Sequence, residues 1–211
     1  MLDFGETGVQ AGPSPKIVRT IVAAAIDDPD TDLVAAVARG DQAAARDLVE
    51  RHLPKMIALG RRMLGNQADA EEVAQEVFLR VWKQAEKWQP GVAKFETWMH
   101  RVAINLCYDR LRKKREVLSD EVPELADEAA NPAEALQAKQ LGLRIDEALQ
   151  RLPDRQRLAI TLCHITELTN IEAAAAMEIS VDALESLLAR GRRKLKEYLR
   201  SEMNDLMGAG R

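Results

Sequence analysis

Apolar residues in this chain recur at steps of three and four, and no run alternates at period two for long, so the pattern is that of helices with no sheet. The plainest stripe is Ala70, Val73, Ala74, Val77 and Val81, with Asp69, Glu72, Gln75, Glu76 and Lys83 on the wet side of the same helix. Ala, Leu, Glu and Arg dominate, and these are good helix formers. With 211 residues, 46% of them hydrophobic, the chain can build one large or two small helical cores.

Punctuation divides the pattern. Leu33, Val34, Val37 and Ala38 predict a short helix ended by Gly40. Asp41 opens a longer one with Leu48, Val49, Leu53, Ile57 and Leu64 inward, which Pro54 should kink or divide. The next begins after Gly65-Asn66, and Pro90-Gly91 breaks the chain behind it. The loop Lys87–Glu96 is bracketed by Trp88 and Phe95, and Trp98 opens a helix through Ile104 and Leu111 into Arg110, Arg112, Lys113, Lys114 and Arg115. These aromatics suit either the core of a small bundle or stacking platforms for unpaired bases.

A second helical unit follows. Asn131 and Glu134 form a capping box with Pro132 at the first helical position, and Leu141, Ile145, Ala148, Leu149 and Leu152 face inward. Pro153 starts another helix with Leu158, Leu162 and Ile165 inside. In the stretch after Leu168, Thr169 caps one short helix with Glu172 closing the box, and Ser180 caps a second with Val181, Leu184, Leu188 and Leu195 inward. Two capped helices around a tight turn make a helix-turn-helix. Asp182, Glu185, Ser186, Ala189, Arg190 and Arg193 share the face opposite the leucines and are free to meet a major groove. A plain bundle could show the same caps, but Arg190, Arg192, Arg193, Lys194, Lys196 and Arg200 against the single acid Glu197 exceed what a helix dipole needs. Phosphate contact is the economical explanation.

The net charge of −4 argues against strong, indiscriminate DNA binding, but the charge is segregated. Glu116, Asp120, Glu121, Glu124, Asp127, Glu128 and Glu134 form an acidic strip with no Lys or Arg, read as a solvated linker. Residues 1–30, rich in Gly and Pro, read as a disordered extension in which Ile17–Ile26 can form a helix. Cys107 and Cys163 lie within helical patterns without a second ligand at metal spacing, and His52 and His100 stand alone, so buried thiols are expected and no metal or cofactor. There is no Gly-rich phosphate loop, nucleophile elbow or His/Asp pair with a nucleophile, so no enzyme is expected. The apolar stretch Ile21–Ile26 is too short to span a membrane, and a cytoplasmic protein with no membrane insertion is expected.

Four motifs taken together are specific: DAEEVAQEVFLRVW (Asp69–Trp82), FETWMHRVAINLCYDRLRKKR (Phe95–Arg115), LQRLPDRQR (Leu149–Arg157) after the acidic linker, and the terminal helix-turn-helix. In this order, over residues 31–200, they resemble a bacterial RNA polymerase sigma factor of the extracytoplasmic-function group in the sigma-70 family. The resemblance implies an all-α chain of two small helical domains. Residues 31–115 would be region 2, which binds core RNA polymerase and recognises and melts the minus-ten element. Residues 116–135 would be the acidic linker, 136–200 region 4 reading the minus-thirty-five element, and 201–211 a flexible tail.

The resemblance also assigns residues. Asp69, Glu72, Gln75 and Glu76 would dock on polymerase. Lys94, Phe95, Trp98, Arg101, Asn105 and Asp109 would lie near the unpaired minus-ten strand, with Arg112, Lys113, Lys114 and Arg115 on its backbone. Ser180, Asp182, Glu185, Ser186, Ala189, Arg190, Arg193 and Lys194 would meet the minus-thirty-five duplex. The implied partners are core RNA polymerase, promoter DNA and an anti-sigma factor. The rivals are a dimeric helix-turn-helix regulator that is not a polymerase subunit, and a polymerase-binding decoy that no longer initiates. Two positions depart from the family pattern: Glu178 stands where the turn commonly has Gly, so its backbone either avoids the left-handed region or bears a cost there. Glu185 or Leu187 stands where a basic residue is common.

Overall fold

The computed structural model describes residues 27–89, 91, 93–118, 142 and 144–208. Among them the secondary structure is helical throughout: α1 (Thr31–Ala38), α2 (Gln42–Leu64), α3 (Gln67–Gln84) with a 3₁₀ turn at Ala85–Lys87, α4 (Phe95–Leu118), α5 (residues 144–150), α6 (Asp154–His164), α7 (Asn170–Ala176) and α8 (Val181–Gly208). The expected helix at Ile17–Ile26, the Asn131–Glu134 capping box, Leu141 and most of the acidic linker lie outside the described residues. Residues 201–208, expected as a flexible tail, continue α8.

Local signals set the helix starts. The Asp41 carboxylate accepts from the N–H groups of Ala43 and Ala44 at 2.8 and 3.2 Å, and the Asn66 side chain accepts from Asp69 N–H at 2.7 Å. Gly65 ends α2 in the left-handed conformation, φ +82°. The α3 stripe Ala70, Val73, Ala74, Val77 and Val81 is buried as expected, with Phe78 beside it. α2 crosses α3 closely because Gly60 has no side chain: a Cβ there would lie 2.9 Å from Ala70 Cα.

Of the two outcomes expected at Pro54, division does not occur: α2 runs through it as one helix from Gln42 to Leu64. A Pro removes one N–H and crowds the preceding turn, but the buried residues on both sides of it, Leu48 and His52 before and Met56 and Leu59 after, hold the helix to one core face. Helix α4 opens at Phe95 rather than at Trp98, because the Asp28 carboxylate accepts from Phe95 N–H at 2.7 Å.

That contact belongs to an anchor the residue pattern did not show. Asp28 and Asp30, placed by composition in the extension, are buried in the fold. Asp30 receives Arg51 at 2.5 Å and hydrogen-bonds His52 Nε2 at 2.8 Å. Burial alone would raise the Asp30 carboxyl, but the hydrogen bond and charge of His52, and then those of Arg51, outweigh it and hold the group below its ordinary value. A depressed folded value means the anchor stabilises fully above the unfolded carboxyl range, about pH 3.9, and loses that contribution as pH falls through the folded value. Asp30→Asn is therefore expected to lower the melting temperature at neutral pH and to narrow the gap between melting temperatures at neutral and acid pH. An unchanged gap, read by circular dichroism, would refute the anchor.

The buried apolar residues form one cluster running from Val34 and Leu48 through Val77, Phe95 and Cys107 into Leu149, Leu158, Leu162, Leu184 and Leu188. Helices α1–α4 and α5–α8 thus build two bundles that also pack on each other, through α2 with α6 and α4 with α7.

Candidate functional site

Three surfaces gather the residues singled out by sequence. The first is the outer face of α3. Gln75 and Glu72 are exposed, and Asp69 and Glu76 are half-exposed. This face is not bare carboxylate: Arg110 of α4 reaches Glu72 at 2.9 Å and Asp69 at 3.4 Å, and Arg80 pairs with Glu76 at 3.0 Å. Further along the same face Leu79 and Trp82 are exposed, at 50% and 38%. Trp82 borders an apolar groove with Ala45, Arg46, Val49 and Glu50 of α2. An acidic strip ending in an exposed apolar one is the makeup of a protein-binding face. Leu79 and Trp82 were missed because each looks like another helical apolar residue; their signal is that both fall outside the buried stripe.

The second surface is the loop before α4 with the outer strip of that helix. Trp88, Phe95 and Trp98 form a mutual cluster, with ring centroids 5.1 Å apart for Trp88–Phe95, 5.4 Å for Phe95–Trp98 and 5.9 Å for Trp88–Trp98. Phe95 is 0% exposed and serves as the floor of the cluster, so in this conformation no DNA can touch it. Trp98 is half-buried on top of Phe95 and combines packing with an open edge. Arg101, Asn105, Asp109 and Arg112 follow at steps of three and four, all exposed, with Arg112 bound to Asp109 at 3.1 Å. Lys113 and Lys114 are exposed beside a shallow cleft shared with Leu64, Asp69, Arg110 and Leu111.

Three further cations of this surface pair with acids of the C-terminal bundle. Lys94 Nζ lies 2.7 Å from Glu172, Arg101 pairs with Glu178, and Arg115 pairs with Asp154. The Glu172 hydrogen bond holds the Lys94 ammonium above its usual value despite some burial. Burial raises Glu172, yet the bonds from Lys94 and Thr169 carry it below the usual carboxylate range.

The third surface is the helix-turn-helix. Thr169 and Glu172 make the reciprocal capping box, and Ser180 Oγ accepts from Ala183 N–H at 3.2 Å. Leu184 and Leu188 are buried while Val181 and Leu195 are half-buried, which turns Ser180, Asp182, Glu185, Ser186, Ala189, Arg190 and Arg193 to solvent with Lys194 half-exposed. Arg190 Nε donates to the Ser186 carbonyl at 3.1 Å, and Asn170 Nδ2 to Glu185 at 3.4 Å. Glu178 does take the left-handed conformation, φ +54°, so the turn carries the strain that glycine would avoid. Gly191 lets α8 approach α6: a Cβ there would meet Ile160 Cδ1 at 2.8 Å.

Both cysteines are free thiols. Burial pushes the Cys107 thiol up to about 12, and Cys163 is raised in the same way. Among the described residues no group of His, Cys, Asp and Glu could hold a metal ion, and no helix is long and apolar enough to cross a membrane.

The family model described as Sigma-70 region 2 matches residues 48–117, and the one described as Sigma-70, region 4 matches residues 142–195. The chain is similar to the ECF RNA polymerase sigma factor SigW of Bacillus subtilis (strain 168), 34% identical over 175 residues that cover 78% of this chain and 93% of that protein. It is also similar to the ECF RNA polymerase sigma factor SigE of Mycolicibacterium smegmatis, 36% identical over 169 residues, 77% of this chain but only 65% of that longer protein. Among solved structures, CnrH in complex with the cytosolic domain of CnrY superposes with a TM-score of 0.63 at 26% identity, covering 82% of this chain and 99% of CnrH.

Proposed function

The chain belongs to the sigma-70 family, in the extracytoplasmic-function group of RNA polymerase sigma factors, and from that premise we propose that it binds core RNA polymerase and directs it to a particular set of promoters. The observation that carries this reading is the coexistence, in one chain, of an acidic and apolar α3 face with two separate cationic faces, one on α4 and one on α8. A regulator that bound duplex DNA alone would need only the last of these.

The α3 face, Asp69, Glu72, Gln75 and Glu76 extended by Leu79 and Trp82, docks on polymerase. The strip Lys94, Trp98, Arg101, Asn105 and Asp109 lies along the unpaired minus-ten strand, and Arg112, Lys113, Lys114 and Arg115 take its phosphates. The α8 face reads the minus-thirty-five duplex from the major groove. No bond in a substrate is made or broken by these residues; opening of the promoter draws on binding free energy as exposed bases are captured by the protein. An anti-sigma protein holds the chain inactive between signals. The solved relative CnrH is seen with the cytosolic domain of CnrY, which supports this mode of control.

The decisive experiment adds the purified chain to core polymerase on genomic promoter fragments. Discrete run-off transcripts are expected; gel shifts of a palindrome without transcripts would indicate a dimeric regulator, and polymerase binding without initiation a decoy. Reversing two charges on the α3 face, Glu72→Lys with Glu76→Lys, is expected to weaken core binding by about tenfold or more while helix content stays constant. Fluorescence anisotropy of the labelled chain titrated with core reads the change, and an unaltered affinity would remove α3 from the docking face.

A further inference from the structure

The reading face of α8 carries a carboxylate among its first residues. Glu185 is the fifth residue of the helix and is exposed on the side away from Leu184 and Leu188, and the N-terminal turns of a recognition helix are the part that reaches base edges. Arg190 and Arg193 follow five and eight residues later, about 8 and 12 Å further along the axis. Arg190 is turned to the Ser186 carbonyl and not to Glu185. A carboxylate at this place cannot serve a phosphate, because like charges repel. It accepts hydrogen bonds and donates none, so in the major groove it requires a base that presents a donor. Guanine and thymine present acceptors there, and adenine sets its N6 amine beside the N7 acceptor, which a carboxylate would confront. Cytosine alone offers an amine, N4, with no acceptor on its own edge.

Two other helices aim this carboxylate. Asn170, the first residue of α7, donates from Nδ2 to Glu185 Oε1 at 3.4 Å, and its Oδ1 accepts from Cys163 Sγ of α6 at 3.8 Å. The pair of contacts sets the way the amide points: with its oxygen and nitrogen exchanged, the oxygen would face the carboxylate. Burial raises the Cys163 thiol, so Cys163 keeps the proton it donates. These are long contacts that add little to stability; what they fix is a direction. Asn170 occupies Oε1 and leaves Oε2 to meet a base.

We infer that Glu185 is a specificity residue that selects a cytosine in the upstream promoter element, and that Asn170, itself oriented by Cys163, is its positioning residue. This rests on the duplex-reading role proposed above for α8. The same carboxylate works against the wrong sequence, since guanine or thymine at that place would set an acceptor against it with no proton between them.

The test uses holoenzyme assembled from core polymerase and the full chain, with promoter duplexes whose upstream element is randomised; bound duplexes are sequenced and the base preference is read at each position. The parent is expected to enrich cytosine at one position or more. Glu185→Gln should move the preference at one of these from cytosine to adenine by about tenfold, since Gln pairs with adenine N6 and N7. Glu185→Ala should level that position, and preferences elsewhere should stay. Asn170→Ala should reduce the same cytosine preference by about threefold, the worth of one modest hydrogen bond, while Cys163→Ser, which keeps a donor, should hold it. A merely structural role would lower binding of all sequences alike and leave the preferences as they were. Unchanged preference at every position in both Glu185 variants, or an equal loss at all of them, would overturn the proposal. A shift with Glu185→Gln but none with Asn170→Ala would remove the positioning role. A parent chain that enriches no sequence and gives no run-off transcripts with core polymerase would instead count against the sigma reading.

Discussion

Phe95→Ala is expected to destabilise the N-terminal bundle by about 3–5 kcal/mol, the usual range for emptying the site of a fully buried phenylalanine. Phe95 lies under both Trp88 and Trp98, its N–H is held by Asp28, and it starts α4, so the cavity would open where the helix carrying the proposed strand-binding strip begins. Trp98→Ala makes the informative contrast. Half-buried and on top of the cluster, Trp98 should cost the fold less and promoter opening more. Thermal unfolding and permanganate footprinting of the opened promoter separate the two: Phe95→Ala should lose the melting transition first, and Trp98→Ala should keep it while losing reactive thymines. If both variants lose only stability, the cluster is a core and nothing else.

Removing Arg190 and Arg193 together is expected to weaken binding of the upstream promoter duplex by about thirtyfold or more if both read base edges, since each such contact is worth on the order of 1–3 kcal/mol. Both guanidinium groups lie on the exposed face of α8, away from the buried Leu184 and Leu188, so the fold should not change. The salt dependence shows which kind of contact was lost. Each missing phosphate contact lowers the slope of log affinity against log salt by about 0.9, whereas loss of a base contact leaves the slope and relaxes sequence preference. Arg190→Ala and Arg193→Ala measured singly, with promoter duplex and holoenzyme, assign each residue. An unchanged affinity in the double variant would move the reading face elsewhere on α8.

Helix identity and starts were legible because their causes lie within one turn of chain. The Thr169–Glu172 box, the Asp41 and Asn66 caps and the buried stripe of α3 appear where spacing places them. Rotation about a helix was less legible. Phe95 and Trp98 lie three residues apart, and either could face inward until Trp88 and the neighbouring helices are in place. The strained φ of Glu178 was only half legible: a Glu where the turn commonly has Gly left two answers open, and the fold takes the left-handed one, between the packed helices α7 and α8.

Sequence by itself determined that this chain is helical, where most of its helices begin, the buried stripe of α3, and the order of four motifs that marks its family. Those properties come from periodicity and capping, interactions between residues at most four apart. Tertiary structure alone decided the fate of Asp28 and Asp30, whose partners Phe95 and His52 are 67 and 22 residues away, and of Lys94, Arg101 and Arg115, whose counter-ions lie in the other bundle. A solvated charge has the same signature in sequence whether it waits for DNA or already holds a carboxylate. Only the three-dimensional arrangement of distant segments tells those two states apart.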